Sequence, residues 1–432
     1  MKSAAGVITE YNPFHNGHLY HLQKARDITS GKYVIAVMSG NFTQRGVPAC
    51  LDKWQRAKMA LRAGVDLVLE LPTSSCIRGA HSFARGAVQT LAETGMVDEI
   101  IFGSEQGNIE ILEKIASILA EEPIEFKRMM NEELKNGLSF LQARNRALDK
   151  YYSSRAETEG DFSDIELSSS ADILSSPNNI LGIEYIKNIK ESDLDLEPKT
   201  IKRKGADYHD EYIEPGNKIA SATSLRKKLY EGKIEKIKDF VPQTTMKILY
   251  EACQNGLAPA DRKNFSRLIP GLLRQRTKSE LRKCPDSADD LVNSIIKSQK
   301  DGCSSFEEIV NAASSKTYTE GRVRRVLLQA ALRVFDYNAK SAAGNRVDSP
   351  QYLRVLAAKS ESKNILGELN RQARLPVITN PSSLTSQTDF NSQDDKVLQI
   401  SLDLMATDIF TLLYPSENKR KSHRDFYTPV IE

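Results

Sequence analysis

Short, continuous apolar runs alternate with helical periodicity along the first 230 residues. Residues 3–10 read as a buried strand, and Leu19 to Ile28 follows with Leu19, Leu22 and Ala25 on one helix face. Further strands are predicted over residues 33–38, 65–71, 99–102 and 196–202. Helices are predicted over residues 53–63, 83–94, 109–121, 179–188 and 222–230, with Gly64, Gly95 and Gly232 as stops. Strands that are apolar throughout belong to a parallel sheet covered on both faces. The expected fold is α/β, a Rossmann-like parallel-sheet domain (residues 1–230) followed by a mainly α-helical one (residues 231–432). The Ser-, Glu- and Asp-rich stretch 153–175 reads as a loop or insertion. Beyond residue 231 strand signals fade. Residues 261–269, 288–298, 306–313, 322–335 and 352–358 read as helices, Pro270 ending the first, and residues 380–395 as an exposed loop.

Composition narrows the class. The chain of 432 residues is 40 % hydrophobic and 7 % aromatic, as in an ordinary soluble protein. No run has the length of a membrane span, and Met1-Lys2-Ser3 leads into a strand without a signal-peptide core. A cytoplasmic protein is expected. The five scattered cysteines form no Cys-x-x-Cys pair, so reduced structural thiols are expected rather than disulfides or zinc. The net charge of +3 divides unevenly, about +6 from residue 231 onward and about −3 before it. A basic back half suits a nucleic-acid partner or, more plainly, solubility.

Candidate chemistry begins where the first strand ends, at Asn12-Pro13-Phe14-His15-Asn16-Gly17-His18. A helix start offers unpaired N–H groups and partial positive charge, which suit a polyphosphate. Gly17 permits close backbone approach, and His15 and His18, three apart, share one side of the first turn. Both are candidate catalytic donors to phosphate oxygens. A metal stripe of His15, His18 and His21 is the rival reading, with Glu10 the sole nearby carboxylate; no metal site is expected. Ser221-Ala222-Thr223-Ser224-Leu225-Arg226 supplies hydroxyls and a guanidinium at a second helix start, or an ordinary cap with a basic face.

Together these elements resemble the His-x-Gly-His nucleotidyltransferase superfamily, whose second element reads Ile-Ser-Ser-Thr-x-x-Arg. Here Ala222 replaces its second serine. Longer segments narrow the likeness: residues 9–18, Met38-Ser39-Gly40-Asn41-Phe42-Thr43-Gln44-Arg45-Gly46-Val47-Pro48, Asp66 to Pro72, Phe102-Gly103-Ser104-Glu105, Ser176 to Tyr185, and Ile201 to Asp210. They resemble the tRNA(Met) cytidine acetate ligases, densely over the first 230 residues. That resemblance implies a nucleotidyltransferase fold and a reaction. Acetate and ATP would give acetyl-adenylate, with Mg2+ and without acetyl-CoA, and the acetyl group would pass to N4 of the wobble cytidine of elongator tRNA(Met).

The resemblance also implies an ATP site. Val7, Ile8, Thr9, Glu10, Tyr11, Asn12, Pro13, Phe14, His15, Asn16, Gly17, His18, Leu19 and Tyr20 would enclose the nucleotide. Gly103, Asn178 or Asn179, Arg203, Ser221, Thr223, Ser224 and Arg226 would complete it. Taken alone, Gly103 could be a turn glycine, the asparagines helix caps, and Arg203 a basic strand end. His209 reads as structural, and Gln44 and Arg45 as acceptor pocket or plain loop. Arg274, Arg276, Arg322, Arg324, Arg325, Lys419 and Arg420 are candidate tRNA-binding cations, with Tyr318, Phe335, Tyr337 and Tyr352 as candidate stacking platforms. Neither a membrane nor DNA is an expected partner. The alternative is a small-molecule adenylyltransferase of a coenzyme pathway, which has no use for some 200 basic helical residues. A non-catalytic ATP- or RNA-binding module leaves the paired phosphate elements unexplained.

Overall fold

The computed structural model describes residues 4–29, 33–138, 140–159, 173–203, 218–340, 348–359 and 363–430. Its strands are β1 (Ala4–Thr9), β2 (Tyr33–Ser39), β3 (Leu67–Leu71), β4 (Val97–Ser104), β5 (Glu197–Lys202), β6 (Leu353–Ala358) and β7 (Val377–Ile378). The chain divides into two compact units, Met1–Asp98 with Lys204–Glu432, and Glu99–Arg203. The expected boundary at residue 230 does not coincide with this division.

In the first unit β1, β2 and β3 pair in parallel, Val7 opposite Ala36 and Val37 opposite Leu69. All of β2 and β3 is buried, as continuous apolar runs require when helices cover both faces. The helix Asn16–Ile28 connects β1 to β2 and Lys53–Ala63 connects β2 to β3, while Ala80–Ala92 follows β3. β6 then pairs antiparallel with β3. This corrects the helix expected over residues 352–358. Leu-Arg-Val-Leu-Ala-Ala is buried at every position and therefore carries no face-specific period, so pattern alone cannot separate strand from buried helix.

Pro270 does not end its helix, which runs from Arg262 to Leu273 and closes with Arg274 N–H on the Pro270 carbonyl at 3.1 Å. The remaining helices of the back half enclose Phe265, Ile295, Phe306, Ile309, Leu327 and Phe410 in one core. Phe42 and Ile77 from the front of the chain lie in that same core. The helical half is therefore built onto the loops that leave the β2 and β3 edge.

In the second unit β4 and β5 pair in parallel, Gly103 opposite Ile201. Helices Ile109–Glu121, Ile124–Lys135, Phe140–Glu159 and Pro177–Glu191 accompany them. Residues 153–159, expected as loop, continue the third of these helices; residues 160–172 lie outside the described residues. Among the described residues no helix is long and apolar enough to cross a membrane.

Candidate active site

The chain leaves β1 through Tyr11, whose left-handed backbone (φ 47°) turns it sharply toward the first helix. His15 is the N-cap of that helix. Its Nδ1 accepts the His18 N–H at 3.3 Å, and His18 Nδ1 accepts the His15 N–H at 3.2 Å. This is a capping box made of two imidazoles. The rings stack at 3.7 Å and 17°. An Nδ1 that accepts is unprotonated, so in the neutral ring the proton sits on Nε2. The cap thus sets both tautomers, with the proton of each ring on Nε2. Phe14 and Tyr11 wall His18, with centroids 5.5 and 5.0 Å away. Among the described residues no three His, Cys, Asp or Glu side chains gather as metal ligands.

Other loop residues serve the frame. A Cβ on Gly17 would meet His15 Cε1 at 2.9 Å, so the glycine makes room for the imidazole itself. Asn16 Nδ2 donates to the Lys218 and Asp239 carbonyls at 2.9 and 3.0 Å. Val7, Tyr11, Asn12, Pro13 and Phe14 are buried, while Ile8, Thr9, Glu10, His18, Leu19 and Tyr20 are half-buried.

The second element packs onto this loop. Arg226 Nη1 donates to the Asn12 carbonyl at 2.9 Å, and Nη2 to Thr223 Oγ1 at 3.0 Å. Ser221 Oγ caps its helix by accepting Ser224 N–H at 3.1 Å, and Ser224 Oγ returns a bond to the Ser221 carbonyl at 2.8 Å. The cap reading therefore describes these hydroxyls, and the guanidinium is what joins the two elements.

Arg56 and Lys53, which the sequence reading passed over, hold the strand ends in place. Arg56 is fully buried and donates to the Glu10 carbonyl at 2.7 Å, to Ser39 Oγ at 3.2 Å and to the Gly40 carbonyl. Lys53, also buried, reaches Glu70 Oε2 and Asp425 Oδ1, each at 2.8 Å. Burial raises the Glu70 carboxyl to about 7 against the opposing pull of Lys53. The signal for Arg56 and Lys53 was present as charges on the buried face of a predicted helix.

The second unit gathers Asn178, Asn179 and Arg203 around one carboxylate. Glu105 accepts from Asn178 Nδ2 at 2.6 Å and Asn179 N–H at 3.0 Å, with Arg203 Nε 3.8 Å away. Asn179 is buried and spends its amide on Gln106 N–H and the Ile173 carbonyl, whereas Asn178 is half-buried. Gly103 lies in β4. His209 falls outside the described residues.

The basic candidates divide. Arg325 Nε meets Asp286 Oδ2 at 2.9 Å and Arg322 Nε donates to the Asp286 carbonyl at 2.9 Å. Arg276 Nε donates to the Ala330 carbonyl at 3.1 Å, Arg420 Nε to that of Tyr414 at 2.8 Å, and Arg324 pairs with Glu320 at 2.6 Å. Arg274 and Lys419 are exposed. Phe335, Tyr337 and Tyr352 are core residues, which corrects their reading as stacking platforms; the first two lie in the helix Val334–Lys340 and Tyr352 lies just before β6. Tyr318 is half-buried beneath Arg322 at 5.2 Å.

Comparison with known proteins matches the HIGH Nucleotidyl Transferase family model to residues 1–425. A protein of Halothermothrix orenii named tRNA(Met) cytidine acetate ligase is 39% identical over 429 residues, covering 99% of each chain. One of the same name from Caldanaerobacter subterraneus subsp. tengcongensis is 41% identical with the same coverage. Among solved structures, Thermotoga maritima TmcAL bound with alpha-thio ATP superposes with a TM-score of 0.84 at 35% identity, covering 100% of this chain and 99% of that one. Its apo form gives 0.87.

Proposed function

The chain belongs to the HIGH nucleotidyl transferase family and, within it, to the tRNA(Met) cytidine acetate ligases, and on that premise we propose that it acetylates the wobble cytidine of elongator tRNA(Met) at the expense of ATP. An acetate oxygen attacks the α-phosphorus of ATP, the bond to the bridging oxygen of the β-phosphate breaks, and acetyl-adenylate and pyrophosphate form. N4 of cytidine 34 then attacks the acetyl carbon, AMP departs with the bonding electrons, and N4 loses a proton.

The reading is carried by the reciprocal histidine cap. His15 and His18 hold their Nε2–H donors in a fixed orientation before any phosphate arrives, which is the preorganisation that stabilises charge developing at the α-phosphate. Val7 to Tyr20 surround the nucleotide in this reading, the buried members through their backbone. Arg226 braces the loop from the Asn12 carbonyl, and Ser221, Thr223 and Ser224 set the helix that carries it. Gly103, Asn178, Asn179 and Arg203 are assigned to nucleotide binding by the family likeness, Asn178 rather than Asn179 supplying the side chain. Mg2+ accompanies ATP, acetyl-CoA takes no part, and the setting is the cytoplasm.

Incubation with ATP, acetate and elongator tRNA(Met) should yield N4-acetylcytidine and AMP by mass spectrometry, and acetyl-CoA without ATP should yield neither. Absence of the acetylated nucleoside in the first arm, or its appearance in the second, overturns the proposal.

A further inference from the structure

The loop that follows β2 and the start of the helix Arg262–Leu273 meet beside the histidine loop. Gln44 N–H donates to Glu10 Oε1 at 2.9 Å. Cys50 N–H donates to Asn12 Oδ1 at 2.8 Å, and the Cys50 carbonyl accepts Ala260 N–H at 3.0 Å. Arg262 thus opens its helix two residues from a tether to the catalytic loop. Its guanidinium lies 3.8 Å over the ring of Tyr230, one helical turn beyond Arg226. Burial lowers the Arg226 pKa, and the charges of Arg45 and Arg262 press it further down while Glu10 pulls it up. Cys50 adds no negative charge, since burial raises its thiol to about 11. The guanidiniums of Arg45 and Arg262 thus both act on Arg226, and Glu10 opposes them.

Arg226 is committed to the loop through Asn12 and Thr223. Arg45 is half-buried in the loop after β2, and Arg262 stands at the surface. Gly46, at φ +72°, lies so close to the helix Glu320–Ala331 that a Cβ would meet Arg324 C and Arg325 N at 2.7 Å. The Arg45 loop therefore runs from the reaction centre onto the helix that carries Arg322 and Arg324. Arg262 is exposed, and no ion pair among the described residues holds it. A base that enters this centre to receive an acetyl group leaves its stack and brings its own flanking phosphates with it. Cations beside the centre meet those phosphates and set register without reading sequence.

We propose that Arg45 and Arg262 form a phosphodiester-binding site for the RNA strand next to the acceptor cytidine, separate from the groups that hold ATP. The inference rests on the RNA acetylation proposed above. It makes the loop after β2 the place where the acceptor strand is registered against the adenylate.

The test pairs two measurements on R45A, R262A and R262K in the full chain. Acetate-dependent ATP–pyrophosphate exchange without tRNA should be unchanged in all three. The Kd for elongator tRNA(Met) should rise on the order of ten-fold in R45A and R262A, and the slope of log Kd against log salt should fall by about one. R262K should keep most of that slope. A raised KM for ATP with unchanged tRNA binding would assign these arginines to the triphosphate and overturn the proposal, as would unchanged values in both assays. Failure of the wild type to exchange pyrophosphate with acetate sinks the acetylation reading instead, while the tRNA titration still reports on the two arginines.

Discussion

The His15–His18 turn and the Arg322–Arg325 turn each gather side chains that can meet phosphate, yet they dispose of their polar atoms in opposite ways. Each histidine gives one ring nitrogen to the backbone of its own helix start, and that bond orients the other nitrogen. Arg322 and Arg325 turn toward Asp286, and Arg324 toward Glu320. Capping consumes half of an imidazole and aims the remainder. Bonds to a carbonyl, for Arg322, or to a carboxylate, for Arg324 and Arg325, occupy donors that an RNA phosphate would use. Density of suitable residues is therefore a poor guide to a site; what matters is how the local structure orients the polar atoms of each side chain.

The sharpest way to break this contrast is to keep the cap and remove the donor. Asparagine is among the better N-caps, so His15→Asn should retain the helix start and the melting temperature. Its amide N–H donors sit on a shorter side chain and do not reach the position of Nε2–H. Acetate-dependent ATP–pyrophosphate exchange should fall by about 10²–10³-fold, the range for one lost preorganised donor. His18→Ala should fall as far. Wild-type exchange in His15→Asn would reduce the histidine pair to a structural cap.

The converse experiment removes a guanidinium that is spent on structure. Arg325 and Arg78 both bond Asp286, and all three side chains are mostly buried. Arg325→Ala leaves a buried carboxylate short of one partner, a loss of about 1–3 kcal/mol. Urea unfolding should show a lower midpoint with an unchanged slope, and the tRNA Kd should stay near wild type once folded protein is compared. A tRNA defect without a stability defect would place Arg325 with the RNA-facing cations after all.

The same distinction governs what the chain discloses before folding. The β1–β3 alternation was legible because each strand is a continuous apolar run closed by a stop. The histidine pair was legible because three residues is the spacing of a helix's first turn. β6 was not, because burial on both faces erases the period that would identify it. Nor were the roles of Lys53, Glu70 and Asp425, since their meeting joins a helix, a strand and the far end of the chain. Arg56 looked like one more polar residue on a helix until the Glu10 and Gly40 carbonyls surrounded it. The reaction site's chemistry is local and repeats a family pattern, whereas the supports around it are made by tertiary contact.

The smallest expected effects belong to Arg274 and Lys419, the two exposed members of the original seven cations. Among the described residues neither bonds a carbonyl or carboxylate in the way that Arg276 and Arg420 do. Alanine at either position should leave the urea midpoint unchanged. If the cation meets an RNA phosphate, the salt slope of tRNA binding should drop by about one for each. Arg276→Ala and Arg420→Ala should do the reverse, losing stability with the slope intact, because the Ala330 and Tyr414 carbonyls lose their donors. Measuring all four on one tRNA separates cations that serve the fold from those that serve the partner, and a shared slope change across the four would erase the contrast between buried and exposed basic residues on this half of the molecule.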